Sequence, residues 1–137
     1  FELNSFDKSL DVKDFDISFA RGLSLEDGCA TITNFTAYLI AKGIEYANGN
    51  NSDLIKFLVC GGGRKNDYLI NSIENYLLHK KNISLNSIDD YSLNGDNIES
   101  QAFGYLAIRS FLNLPISFPK TTGCVTPTVG GKLADSF

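Results

Sequence analysis

In "VCGGGRKNDYL", residues 59–69, an apolar stretch runs into Gly61, Gly62 and Gly63 and then into a helical pattern opening on Asn66 and Asp67. Bare backbone at the carboxyl end of a buried strand is where open α/β sheets take ligands. The loop lies outside the sheet, and the next helix points free N–H groups toward it. Three glycines would let a flat or anionic group lie against the main chain. The same glycines also suit a tight turn with positive φ or close helix packing, so both readings stand at this point. The spacing is neither GxGxxG nor GxxxxGKS/T, which excludes a standard dinucleotide fingerprint or Walker loop. Asn66 and Asp67 are placed to cap the following helix, a role compatible with ligand contact. Glu99 is a carboxylate in the first turn of a later helix, just past a strand-end loop facing the same edge. Helix-dipole pairing accounts for it as readily as a place in a cleft.

The other titratable residues offer less. His79 stands alone in "LLHKK" at a helix end, where pairing with the C-terminal dipole suits it better than base catalysis. Lys80 and Lys81 fit a solvated terminus, and Glu26 with Asp27 fits the start of a helix. With no Ser/His/Asp or Cys/His set to assemble, no catalytic residue and no metal ligand are assigned in this chain. Cys29, Cys60 and Cys124 are odd in number and far apart, without a CxxC pair, and read as free thiols in a reducing compartment. The residues supply a binding surface more clearly than a catalytic apparatus.

The elements that must position these residues follow from periodicity. "SLEDG" offers Ser24 as an N-cap, with Ile32, Phe35 and Leu39 as the buried stripe of a helix over 25–46. "LIKFLVC", 54–60, is a short apolar run bounded by turn signals, the pattern of a parallel strand buried on both faces. Leu69, Ile73, Tyr76 and Leu77 predict a second helix to about residue 80, and "ISLNSI", 83–88, a second strand. A third helix over 98–113 turns Ile98, Ala102, Phe103, Leu106 and Phe111 toward a core and stops before Pro115. Residues 1–22 read as an irregular arm and 114–137 as an ordered loop segment. Helix, strand, helix, strand, helix is an α/β order with right-handed crossovers. Two strands make a poor sheet, so further strands are expected from the chain ends, from another chain or from a segment outside this sequence.

The 137 residues, 43% of them apolar and 12% aromatic, suit one globular domain. A net charge of -4 with dispersed lysines gives nucleic-acid binding little electrostatic support. No apolar run approaches the roughly 20 residues of a membrane span, and the N-terminus lacks signal-peptide features. A cytoplasmic chain is expected, with neither nucleic acid nor membrane as partner. It opens on Phe1 rather than a methionine, as a processed product or a piece of something longer would.

Several segments together resemble one family. "KSLDVKDFD", "LSLEDGCATITNFTA", "LVCGGGRKNDYL", "ESQAFGYLAIRSFLNLPISFP" and "TTGCVTPTVGGKL" are similar, in order and spacing, to the C-terminal part of the anhydro-N-acetylmuramic acid kinases. The glycine loop alone is shared with many sugar kinases of the actin-like superfamily; the combination is far more specific. The resemblance implies a partial ribonuclease-H-like (actin-like ATPase) lobe, with few strands flanked by three main helices. It implies ATP and Mg²⁺ as cofactors. The implied reaction opens the 1,6-anhydro ring and phosphorylates the sugar 6-hydroxyl, in bacterial cell-wall recycling. On that resemblance Gly61, Gly62, Gly63 and Asn66 match the adenosine motif, and Glu99 matches a carboxylate of the family's "E-A-x-A-F" segment, placed toward the substrate cleft.

The sequence also departs from the family pattern. It lacks the glycine-rich phosphate segment "GTSxDGxD", the "NxGGxAN" hairpin, the "DTGPGN" loop and, with them, the aspartate that activates water. Phosphoryl transfer needs metal-held phosphates and a positioned nucleophile. The chain is therefore expected to bind ATP on the nucleotide side, with the metal held mainly elsewhere, and to be inactive alone. A complementing N-terminal chain or a homodimer would complete it. The alternatives are a fragment of another actin-like sugar kinase, or a non-catalytic binding or interaction module.

Overall fold

Ser24 starts the longest element. Its Oγ accepts the Asp27 N–H at 3.1 Å and helix α1, Leu25–Asn48, follows with Glu26 and Asp27 in its first turn. Both features satisfy or complement the orphan amides of a helix start. Replacing Ser24 by alanine is expected to cost about 1 kcal/mol, read as a lowered urea midpoint by circular dichroism; an unchanged midpoint would show that the cap contributes nothing. The computed structural model describes residues 12–134, and the expectations for residues 1–11 and 135–137 lie outside them.

The described residues divide into two compact units, 17–98 and 99–134 with 12–16. In the first, a 3-10 turn at Ser18–Ala20 leads into α1, where Phe19 meets Phe35 edge to face at 5.1 Å. Strand β1 is Ile55–Val59, helix α2 is Asp67–Leu77 and strand β2 is Ile83–Ser87. The strands pair in parallel, with Ile55 opposite Ile83, Phe57 opposite Leu85 and Val59 opposite Ser87. This is the α/β order that periodicity predicts, on a two-stranded sheet among the described residues.

Two expectations are corrected by the packing. The fully buried stripe of α1 is Ala37, Ala41, Ile44 and Asn48, whereas Ile32, Phe35 and Leu39 are only half-buried. Alanines at the contact let α2 approach closely enough for Ile73 and Leu77 to join Ala37, Ala41 and Ile44 in one cluster. Large side chains there would hold the helices apart. Strand β1, expected to be buried on both faces, alternates instead. Phe57, with Ile83 and Leu85 of β2, packs on the helix cluster, while Lys56 and Leu58 face away and are exposed.

Polar contacts close the other end of this layer. Asn82 Nδ2, just before β2, donates to Asn51 O at 2.6 Å and to the buried Asn48 Oδ1 at 3.2 Å, and its own carbonyl accepts the Ile55 N–H. The end of α1 and the starts of both strands are thus tied at one residue. Helix α2 ends at Leu77 rather than near residue 80. His79, past that end, sets Nε2 2.8 Å from Glu45 Oε1 of α1, so its partner is a side chain on the neighbouring helix rather than the terminus of its own.

Helix α3, Ile98–Phe111, begins at the last residue of the first unit and otherwise belongs to the second. The helix predicted over 98–113 ends at this point because Asn113 turns to φ +55° and the Leu114 N–H returns to Arg109 O. Arg109 then holds the "NLPISFP" segment, with Nε donating to Pro115 O at 2.7 Å and the guanidinium over the Phe118 ring. The one-turn helix α4, Pro119–Thr122, is closed by the Gly123 N–H donating to Pro119 O, and Ser117 bridges Thr128 in antiparallel fashion. The expected core face of α3 is not found. The helix buries no side chain, with Phe103 64% and Phe111 74% exposed, because its apolar residues have no covering layer among the described residues. None of the described helices is long and apolar enough to cross a membrane.

Candidate functional site

Strand β1 delivers the chain at its carboxyl end into the three glycines. Gly61 takes φ +77°, ψ 179°, a conformation essentially restricted to glycine. Gly62–Lys65 then forms a 3-10 turn, and Asn66 leads into α2. Asn66 Oδ1 accepts the Leu69 N–H at 3.1 Å, so the capping role expected of Asn66 is met, with Asp67 in the first turn of α2.

The glycines differ in what the fold asks of them. Gly61 is required by its backbone angles. Gly62 is absent from the residues with positive φ, and a Cβ built on it meets nothing within 4 Å. Gly63 would make only ordinary contact, 3.5 Å to Leu69 Cδ2. Turn geometry accounts for Gly61 alone, and Gly62, like Gly43 and Gly104, is required by neither φ nor packing. An apolar cavity of about 340 Å³ adjoins the loop, lined among others by Ile40, Phe57, Leu58, Gly63 and Leu69.

A charged network without any sequence motif ties this loop to the loop after β2. Arg64, its side chain 7% exposed, donates from Nε to Asp89 Oδ2 at 2.6 Å and from Nη1 to Asp96 Oδ1 at 2.6 Å and Gly61 O at 2.9 Å. Lys65 Nζ reaches the other oxygen of Asp96 at 2.7 Å. The two backbones also bond directly, Gly61 N–H to Gly95 O at 2.9 Å, while the Gly95 N–H donates to Asp89 Oδ1 at 2.8 Å. Charge-assisted bonds of this kind are the strong ones.

The Arg64 guanidinium holds the Asp89 carboxyl below its usual range, helped by the Gly95 and Ser87 donors. Arg64 first and Lys65 second hold the Asp96 carboxyl lower still. A depressed carboxylate contributes fully above its unfolded value of about 4 and loses its contribution as pH falls through the lower folded value. The Gly95 amide resonance is therefore expected to stay constant from neutral pH down to about 5 and to move only below about 4. A midpoint at or above the ordinary aspartate value would contradict the pairing.

Gly61, Gly62, Gly63 and Asn66 thus share one turn. Glu99 belongs to the other unit, exposed in the first turn of α3. Arg64, Asp89, Gly95 and Asp96 were not legible as a site. Their partners lie 25 and 32 positions apart, and only the acidic, glycine-containing character of "DDYSLNGDN" hinted at a loop complementary to a basic one. Among the described residues no three His, Cys, Asp or Glu side chains gather as a metal-binding group.

With this geometry in place, comparison with known proteins gives a consistent result. The sequence family described as anhydro-N-acetylmuramic acid kinase matches residues 1–135. The chain is 50% identical over 130 residues to the anhydro-N-acetylmuramic acid kinase of Pelagibacter ubique (strain HTCC1062), a match covering 94% of this chain and 34% of that protein. It is 42% identical over 126 residues to the kinase of the same name from Zymomonas mobilis, covering 92% and 33%. With that of Rhizobium rhizogenes the identity is 37% over 131 residues, covering 96% and 33%. The chain spans about a third of the length of the curated relatives it matches.

Proposed function

The chain belongs to the anhydro-N-acetylmuramic acid kinase family, and from that premise we propose that it supplies the nucleotide side of an ATP-dependent sugar-kinase cleft. The observation that carries this is Gly62, bare where neither φ nor packing requires it. It lies in a loop at the carboxyl end of a parallel strand, where α/β sheets receive ligands. Gly61, Gly62 and Gly63 offer main chain to the adenosine, and Asn66 holds the loop's exit while capping α2. In the complete kinase, the γ-phosphoryl of ATP would pass to the sugar 6-hydroxyl while water opens the 1,6-anhydro bond, as in recycling of bacterial cell wall. Glu99 is assigned to the sugar side.

The helix and parallel-strand order supports a partial actin-like lobe. Mg²⁺ would enter with the nucleotide, its charge neutralising the phosphates, and the described residues are given no part in ligating it. The base that activates water is assigned to sequence outside these residues, so the chain alone is proposed to be inactive. A cytoplasmic setting suits its three free thiols. Incubated with ATP, Mg²⁺ and the anhydro sugar, the chain alone should give no sugar phosphate, and product should appear once the N-terminal two thirds of a relative is added. Turnover by the chain alone would sink this assignment.

A second reading is favoured by one observation. Among the described residues β1 pairs only with β2, and an unpaired strand edge is a template for association. An interaction module using that edge would form a homodimer in solution and give no heat with ADP, whereas the nucleotide-side lobe binds ADP.

A further inference from the structure

Arg64 is placed more elaborately than a surface arginine beside a ligand loop needs to be. Its guanidinium makes a two-point contact with Asp89, at 2.6 and 3.4 Å, a third with Asp96 and a fourth with Gly61 O, the first carbonyl of the glycine turn. The planar fork is matched to this geometry, and an ammonium would not reproduce it. Buried Gly95 lies against it so closely that a Cβ there would stand 2.5 Å from Arg64 Nε and 2.8 Å from Cζ. Nothing in this network points toward a ligand. All of it joins the back of the glycine turn to the loop after β2.

We propose that Arg64 is a positioning residue: clamped by Asp89 and Asp96 and seated over Gly95, it fixes the Gly61–Gly63 main chain in the form that receives the nucleotide. The proposal rests on the nucleotide reading of that loop and adds to it the device that holds the loop in shape. A turn with two glycines whose backbones are free of fold-imposed strain has many accessible conformations. If loss of the clamp reduces the receptive form to about a tenth of the population, apparent affinity falls about tenfold. Lys65, its side chain far more exposed than that of Arg64, reaches only the other oxygen of Asp96 and is not a substitute.

The test uses the full chain and two readouts, amide hydrogen exchange and ADP titration. In Arg64→Ala, protection of the Gly61 and Gly95 amides is expected to fall while that of core amides around Ile73 is retained, and ADP affinity to fall about tenfold. Arg64→Lys should rescue neither readout. Gly95→Ala should reproduce the loss with every charge still present, because its methyl displaces the guanidinium. Wild-type protection and wild-type ADP affinity in Arg64→Ala, or rescue of both by lysine, would overturn the proposal while leaving the nucleotide reading intact. A wild-type chain that binds no ADP overturns the nucleotide reading itself, and the positioning role with it.

Discussion

Replacing Gly62 by alanine is expected to lower ADP affinity at least about tenfold, equivalent to roughly 1.4 kcal/mol, while leaving the thermal unfolding midpoint where it is. The methyl would enter open space on the folded chain, and the backbone there needs no left-handed conformation. The native fold therefore accepts it. Only a ligand lying against the main chain would meet the added carbon. Gly61→Ala is the less informative neighbour, since φ +77° makes any side chain strained by about 1 to 3 kcal/mol and stability and affinity would fall together. Isothermal titration with ADP, beside a melting curve on the same sample, separates the two. Equal affinity in Gly62→Ala and wild type would return the triplet to the role of a simple turn.

The largest stability effect is expected at Ile73. Its side chain is 2% exposed, wedged by α2 against Ala37, Ala41 and Ile44 of α1 with Leu77 beside it. Truncation to alanine leaves a cavity that the alanines opposite are too short to fill, and such changes cost about 2 to 5 kcal/mol. A unit whose buried cluster has only five hydrophobic residues among those described has little stability in reserve. Ile73→Ala is expected to shift the urea midpoint strongly downward or to abolish the cooperative transition. A midpoint close to wild type would mean that the α1–α2 contact is not where this unit is held together.

What was legible in the sequence is what depends on neighbours along the chain. Ser24 and Asn66 each cap an amide three positions on, so residue type and the following apolar period suffice to place both helix starts. The strands were legible from their length and their flanking glycine and asparagine, and the glycine loop from its place after the first of them. The α1 stripe was misplaced because amphipathic periodicity weights large side chains, whereas the helix contact is made by Ala37 and Ala41. The two-sided burial expected of β1 failed because Lys56 and Leu58 of "LIKFLVC" lie on the face turned away from the helices, where Lys56 stands over the Tyr91 ring at 5.9 Å. The Arg64 network was illegible for a different reason. It is made by tertiary folding alone, and neither arginine nor aspartate announces in sequence which distant partner it will meet.

The central claim is that the nucleotide lies against Gly61–Gly63, and site-resolved NMR of the full chain titrated with ADP tests it most directly. The account predicts saturable shifts at the Gly61, Gly62, Gly63 and Asn66 amides, with the α1–α2 core amides unmoved. Binding that shifts other residues and leaves these four in place would contradict it.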